Sequence, residues 1–484
     1  MGRLRFGAYL FLAAMVLIIS GCGHDSGEKT ASAAGQRTTG LTEDEISNEA
    51  FKKLFPLQYN SYKKNEKMED TAYGGSEKRS KYEADKEPLL PILFNGYGFA
   101  TEYNEERGHT YALEDIRSIK RITDKSVGSC YTCKSTAVPK MIEEMGEHYW
   151  GANFNKEIWP KGEAMGHSPI GCSDCHDPKT MDLRVTRPSF FKALKAQGVD
   201  VSNPTKNEMR SYVCGQCHVE YYFSAKNSEV TFPWTKGFKP EDMYEYYNTI
   251  AKQNGFEKDW ISNISGTPML KSQHPEYETH MSGTHGKANV SCADCHMPYE
   301  RVDGKRKITS HWWTSPLKTM QTSCGQCHGD RDLDKLKDRV LEIQEANVSA
   351  LHEAQEVSTT SHYYVNKMIT SGVNKDIIKQ AQEYVRQGQW YWDIVAAENS
   401  AGFHNPQGSM DSLRISIEQS NKAIRLATEE LVKKGVNMDE LDKEIEKVKK
   451  AVLEEKVNEK KKDMAVNSYF PAQAPLVPAV PVKK

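Results

Sequence analysis

Beyond its first two dozen residues, the 484-residue sequence has no apolar run long enough to cross a bilayer, and it has little charge of one sign to spare. Its 64 Lys and Arg stand against 66 Asp and Glu, a formal net charge of −2. The first absence excludes a polytopic membrane protein. The second argues against a nucleic-acid binder held by bulk positive charge, so no nucleic acid is expected as a partner. Hydrophobic residues make up only 38%, which is thin for a chain whose length suggests about three domains. Something other than side chains is therefore expected to fill part of the interior. Val and Ile are sparse and rarely alternate, which leaves room for a hairpin or two and no large sheet. Unpaired cysteine is scarce as well: of 11 cysteines, all but Cys22 fall into five C-x-x-C pairs.

The odd cysteine closes an export segment covering residues 1–22. Arg3 and Arg5 supply a positive start, and Phe6 to Ile19 form an apolar stretch too short to favour a spanning helix. Ile19-Ser20-Gly21-Cys22 resembles a bacterial lipobox, with Cys22 as the residue lipidated after cleavage. An uncleaved anchor is the plainer alternative. The mature chain is expected to be exported, either lipid-anchored on the outer face of the cell membrane or periplasmic. Residues 23–40, rich in Gly, Ser, Thr and Ala, suit a flexible tether.

The pairs are Cys130/Cys133, Cys172/Cys175, Cys214/Cys217, Cys292/Cys295 and Cys324/Cys327. The residues that follow them are Lys134, His176, His218, His296 and His328. With 15 His in 484 positions, four such hits in five would arise by chance about a few times in a million, so the C-x-x-C-H haem signature applies. Its two thiols form thioethers to the haem vinyl groups, and the adjacent histidine binds iron. A disulfide framework or zinc ribbons would not require a histidine directly after each pair. The pair ending in Lys134 departs only at the ligand. A lysine amine must shed its proton to bind iron, an awkward choice for a simple relay. It makes sense at an iron whose other face is open to substrate, so this pair marks the expected active site.

One C-x-x-C-K followed by four C-x-x-C-H motifs resembles the pentahaem cytochrome c nitrite reductases, the ammonia-forming enzymes. The likeness extends to Arg107-Gly108-His109, Val219-Glu220-Tyr221-Tyr222 and Lys271-Ser272-Gln273-His274, and runs over residues 50–410. It implies five covalent c-type haems and one Ca²⁺, with six-electron reduction of nitrite to ammonium at the lysine-ligated haem, fed by four bis-histidine relay haems. Carried over position by position, the catalytic residues are Arg121, Tyr221 and His274 beside Lys134; Lys120, Arg117 and Arg107 are neighbouring alternatives to Arg121. Arg121 and a protonated His274 would attract the anion, and His274 and Tyr221 would relay protons. The calcium ligands implied are the Glu220 carboxylate, the Tyr221 and Lys271 carbonyls and the Gln273 side chain, an all-oxygen set suited to that ion.

The resemblance also places the distal ligands: His311 for the second haem, His109 for the third, His404 for the fourth and His285 for the fifth. His24 in the tether and His352 in a charged helix are set aside. His148, His167, His280 and His362 read as surface or supporting residues. The electron donor implied is a membrane-bound multihaem quinol dehydrogenase, since the chain carries no flavin or nicotinamide fold, and a homodimer is implied as well. Respiratory nitrate ammonification and detoxification both remain open as uses. Two rival readings stand beside this one: a pure electron-transfer cytochrome, and an enzyme for hydroxylamine or sulfite.

The expected fold is mainly α. A pentahaem catalytic domain over 41–330, with short helices and long loops, opens on a capping box at Thr42 to Glu45. Long helices over 331–467 pack on the haems and serve dimerisation, with stripes at Leu336, Val340 and Ile343 and from Leu413 to Leu431. Ile377 to Val395 and Leu441 to Leu453 are two further helical segments. The tail, 468–484, is Pro-rich and expected to be extended.

Overall fold

The computed structural model describes residues 38–83 and 86–454. The export segment with Cys22, most of the proposed tether and the Pro-rich tail lie outside the described residues. The chain is tied down from Thr39, whose backbone N–H donates to the Lys179 carbonyl at 2.9 Å. Among the described residues no helix is long and apolar enough to cross a membrane.

Up to residue 330 the chain is a succession of helical turns and short helices joined by loops, as the sparse β-formers predict. The capping box at Thr42 does not open a helix. Thr42 to Glu45 is a turn closed by Glu45 N–H on the Thr42 carbonyl, and the Glu45 carboxylate accepts from Ser47 N–H instead. Three two-stranded antiparallel ribbons occur, against the one or two expected: Tyr222–Phe223 with Val230–Thr231, Trp260–Ile261 with Pro268–Met269, and Tyr299–Val302 with Arg306–Thr309. The last turns at Asp303-Gly304, both in the left-handed region (φ 54° and 71°), a hairpin signal carried by residue type.

Four long helices follow: Leu333–Thr370, Lys375–Ala396, Pro406–Lys433 and Met438–Glu454. Their starts are written in the sequence. Asp332, Asn374 and Asn405 each cap a helix by accepting backbone N–H groups, and Pro406 occupies the first turn of the third. Ala423, Ala427, Leu431, Leu441, Ile445 and Val448 form one buried seam with Tyr363, Val365 and Met368. The Leu336 and Val340 end of the first helix faces the cavity described below.

The Lys375–Ala396 helix joins the two regions. Trp390 and Trp392 are fully buried and belong to the same aromatic core as Phe94, Trp234 and Trp260. Burying an indole of this size is worth up to about 4–6 kcal/mol by area. The same helix carries Asp393, whose carboxylate accepts from Lys271 Nζ and from Ser272 N–H, both at 2.8 Å. It therefore fixes the Lys271–His274 segment at the edge of the site.

Candidate haem-lined active site

The second and fourth C-x-x-C pairs each lie within one helical turn, and in the other three the first cysteine sits in a helical segment that ends before the second. After the second, third and fifth pairs the next histidine donates its N–H to the first cysteine's carbonyl, at 2.9–3.0 Å. Lys134 differs, its N–H bonding the Tyr131 carbonyl at 3.0 Å, so the turn is tighter there. All ten paired cysteines line one connected cavity of about 2770 Å³. Interiors are otherwise close-packed, and small-molecule pockets run to roughly 300–1,000 Å³, so the volume suits several macrocycles side by side.

The histidines named as axial ligands meet in this cavity as four facing pairs. Ring centres are 6.3 Å apart for His176 and His311, 5.8 Å for His109 and His218, 6.2 Å for His296 and His404, and 6.5 Å for His285 and His328. Two imidazoles on opposite sides of one metal, with bonds of about 2 Å, have ring centres roughly 6 Å apart. Each gap therefore fits one iron. Outer ring nitrogens fix several rings in place: Nδ1 of His176 bonds the Met181 carbonyl at 2.8 Å, that of His296 the Thr314 carbonyl at 3.1 Å, and that of His311 the Thr309 carbonyl at 2.9 Å. Burial pushes His109 down to about 3, and His296 and His311 to about 4, which keeps these rings in the neutral form a metal requires. Gly108 is dictated by packing, because a Cβ there would stand 2.1 Å from the Asn65 carbonyl oxygen. The Asn65 side chain in turn donates to the His311 carbonyl at 2.7 Å, so one buried residue links the approaches of two candidate ligands.

Among the described residues Lys134 has no facing histidine partner of this kind. Around the cavity near Cys130 and Cys133 stand Arg121, Tyr221, His274 and Glu106. Arg121 lies over the Phe99 ring, its guanidinium carbon 3.9 Å from the ring centre. Its Nε and His274 Nδ1 are buried without a hydrogen-bond partner, a pairing deficit that an anionic or polar ligand would relieve. His274 Nε2 lies 3.4 Å from a Glu106 oxygen. Burial lowers the affinity of His274 for its proton, with Glu106 opposing. Burial would raise Glu106, yet the neighbouring basic groups, His274 foremost, hold it down at about 2. Burial lifts the Tyr221 phenol well above 10, so it keeps its proton at neutral pH. Of the alternatives to Arg121, Arg107 is engaged by Asp115 and Glu114, and Arg117 bonds Asn155 over Trp159.

The calcium ligands named from the sequence lie in one buried patch. Glu220 is fully buried; one carboxylate oxygen accepts from Tyr247 at 2.7 Å, the other from Ser272 Oγ at 3.1 Å and Gln273 N–H at 2.5 Å. Gln273 Nε2 bonds the Lys271 carbonyl at 3.3 Å, and turning the amide would present its oxygen there. The Lys271 ammonium points away, into its ion pair with Asp393. Burial pushes Glu220 up to about 8 and nearby Asp259 to about 7. Two acids that resist ionisation in one place are what a bound cation would offset, so the donor set fits calcium.

Sequence reasoning missed Glu106, Asp259, Arg187 and Glu398. None belongs to a motif, and only the fold brings each to the site. Of the set-aside histidines, His148 pairs with Glu157 at 2.7 Å, His352 bonds the Lys86 carbonyl at 2.7 Å, and His362 is buried against Ser265 and Gln389 at 2.8 Å each. His167 bonds the Tyr131 hydroxyl. His280 bonds the Val290 carbonyl at 2.9 Å while packing on His404.

Residues 47–477 match the cytochrome c552 family. Among curated proteins, the chain is 43% identical over 452 residues to cytochrome c nitrite reductase subunit NrfA of Nitratidesulfovibrio vulgaris, covering 87% of this chain and 85% of that one. It is 36% identical over 425 residues to cytochrome c-552 of Bacteroides thetaiotaomicron, covering 85% and 82%. A solved structure of cytochrome c nitrite reductase from Desulfovibrio desulfuricans, described with two calcium sites in its catalytic subunit, superposes with a TM-score of 0.75 at 38% identity, over 83% of this chain and 91% of that one. The mainly α multihaem cytochrome architecture is thus shared with a solved relative, and the chain belongs to the cytochrome c552 family, with cytochrome c nitrite reductases among its relatives.

Proposed function

We propose that this protein reduces nitrite to ammonium at a haem attached to Cys130 and Cys133 with Lys134 on its iron. Four further haems, on the other pairs, would relay electrons through the facing histidines. The observation that carries this reading is that Arg121, Tyr221, His274 and Lys134 all line the cysteine-lined cavity, with Arg121 and Tyr221 in the electrostatic reach of Cys130 and His274 in that of Lys134. Haem held by Cys130, Cys133 and Lys134 would supply a redox-active iron that passes on electrons from the external donor.

The chain's own residues supply the rest. Arg121 Nε and His274 Nδ1 are buried nitrogens without a hydrogen-bond partner, and with a proton on each they would bind and orient the nitrite oxygens. Taking nitrogen from +3 to −3 consumes six electrons, eight protons per nitrite, and releases two waters. Protons would reach the substrate oxygens from His274 and from the Tyr221 hydroxyl, with Glu106 helping His274 hold its proton. Calcium on Glu220, Gln273 and the Tyr221 and Lys271 carbonyls would fix the backbone between Tyr221 and its neighbour. Export with a lipid on Cys22, pairing of two chains through the long helices after residue 331 and a membrane-bound quinol-oxidising multihaem cytochrome as donor complete the proposal.

The test is a pyridine haemochrome count, a spin-state spectrum and nitrite consumption with a reduced viologen dye. Five haems, one of them high-spin, with ammonium as product are expected. Five low-spin haems without turnover would return the protein to the class of electron carriers. Faster reduction of sulfite or hydroxylamine than of nitrite would change the substrate.

A further inference from the structure

The facing rings of His296 and His404 are held in unlike ways. His296 Nδ1 bonds a neutral backbone carbonyl, that of Thr314 at 3.1 Å, as do His176 and His311 with theirs. His404 Nδ1 lies 2.6 Å from the carboxylate of Glu398. Among the described axial candidates, no other ring nitrogen bonds a carboxylate: Glu276 stands 3.9 Å from His218 Nδ1, beyond hydrogen-bond reach.

The contact is built into the fold. Glu398 is 4% exposed and accepts from Ser400 N–H at 3.2 Å and Ser400 Oγ at 2.6 Å, while Ser400 Oγ accepts the His404 N–H at 2.9 Å. Ala401 and Gly402, with φ of 52° and 85°, turn the chain back so that His404 folds over the carboxylate. At Gly402 a Cβ would stand 2.3 Å from the Asn347 side chain, so the reversal leaves no space for a larger residue.

A carboxylate on the outer nitrogen of a metal-bound imidazole raises the ligand's basicity. It also leaves a fixed negative charge one ring away from the iron, in surroundings of low dielectric. Both effects favour the ferric state, which carries one more positive charge than the ferrous. Resting on the axial pairing proposed above, we infer that Glu398 is a positioning and tuning residue that holds the haem of Cys292 and Cys295 at a lower potential than the same haem would have with a neutral partner on His404. This haem would then accept its electron late, and pass it on readily.

The test is anaerobic spectropotentiometric titration of the haem-loaded protein. Glu398→Gln keeps an acceptor and removes the charge. One low-spin component is expected to move to higher potential while the others and the haem count stay unchanged. Glu398→Asp, with its charge on a shorter arm, is expected to move the same component the same way by less, and it decides the matter if the Gln variant loses haem. If no component moves in either variant, or all move together, the inference is overturned. His404→Met separates the two layers: an unchanged low-spin spectrum in this variant overturns the axial pairing itself. A changed spectrum, with potentials indifferent to Glu398, overturns only the tuning.

Discussion

The guanidinium of Arg187 lies against the turn that ends in Lys134, its Nε 2.9 Å from the Thr132 carbonyl oxygen. Its Nη2 reaches the Ser135 carbonyl, also at 2.9 Å, so one side chain grips the backbone on both sides of the lysine. Nη1 pairs with Asp174, inside the next C-x-x-C motif, and the Arg187 backbone N–H bonds Gln216, inside the third. The third positions of three successive motifs, Thr132, Asp174 and Gln216, thus meet at one buried residue. Replacing Arg187 by Met leaves the buried Asp174 carboxylate without its cation, held only by Gly171 N–H, and frees two carbonyls. Breaking such a pair costs about 3–5 kcal/mol. A drop in thermal unfolding temperature is expected, together with a disturbed high-spin signal.

Lys134→His restores the C-x-x-C-H signature without touching the thiols. Haem count is expected to stay at five while nitrite turnover falls by about tenfold or more, equivalent to at least about 1.4 kcal/mol of barrier. Unchanged nitrite activity would remove the lysine from the chemistry.

His274→Asn should lower kcat by about 10² or more if the ring delivers protons. The partner variant, Glu106→Gln, carries a sign. Burial already lowers His274, and Glu106 is the largest influence working against that. Removing its charge lowers His274 further, so the alkaline limb of a kcat/KM profile for nitrite is expected to move to lower pH. A limb that stays in place would mean that His274 is not the titrating group.

Calcium should flatten a pH dependence of stability. The Glu220 carboxyl sits at about 8 in the folded protein against an ordinary 4.5, and Asp259 at about 7 against 3.8. Between those values the native state binds more protons than the unfolded state, so stability is full at the acid end and declines as pH rises. Each group contributes up to about 1.4 kcal/mol per pH unit in its window. With a chelator present, the unfolding temperature should fall from about pH 5 to 8; added calcium should flatten the slope and raise the curve. An identical slope with and without calcium would exclude a cation at Glu220.

What the sequence made legible was local. The C-x-x-C turns are four residues long and carry their own geometry, and the long helices announce themselves by caps and apolar stripes. The histidines named from the resemblance face one another across the cavity, a relation that no spacing along the chain displays. Arg187, Glu106, Asp259 and Glu398 were invisible for a physical reason. A buried charged residue is read from sequence as a surface charge, and each owes its role to a partner tens to hundreds of positions away or to a backbone reversal. The Thr42–Glu45 capping box failed because the pattern was present without an apolar run to follow it. The extra ribbon at Asp303-Gly304, in contrast, was signalled by a turn dipeptide that the low Val and Ile content overshadowed.

The cavity is continuous from the first cysteine pair to the last, and that continuity bears on how the protein is made. Side chains leave this space unfilled, and haems attached at the five pairs would complete the interior. Omitting the attachment at any single pair would leave a hole opening onto its neighbours, not a sealed void. Maturation should therefore be close to all-or-none, with partly loaded chains exposed to proteases and discarded before they leave the assembly line.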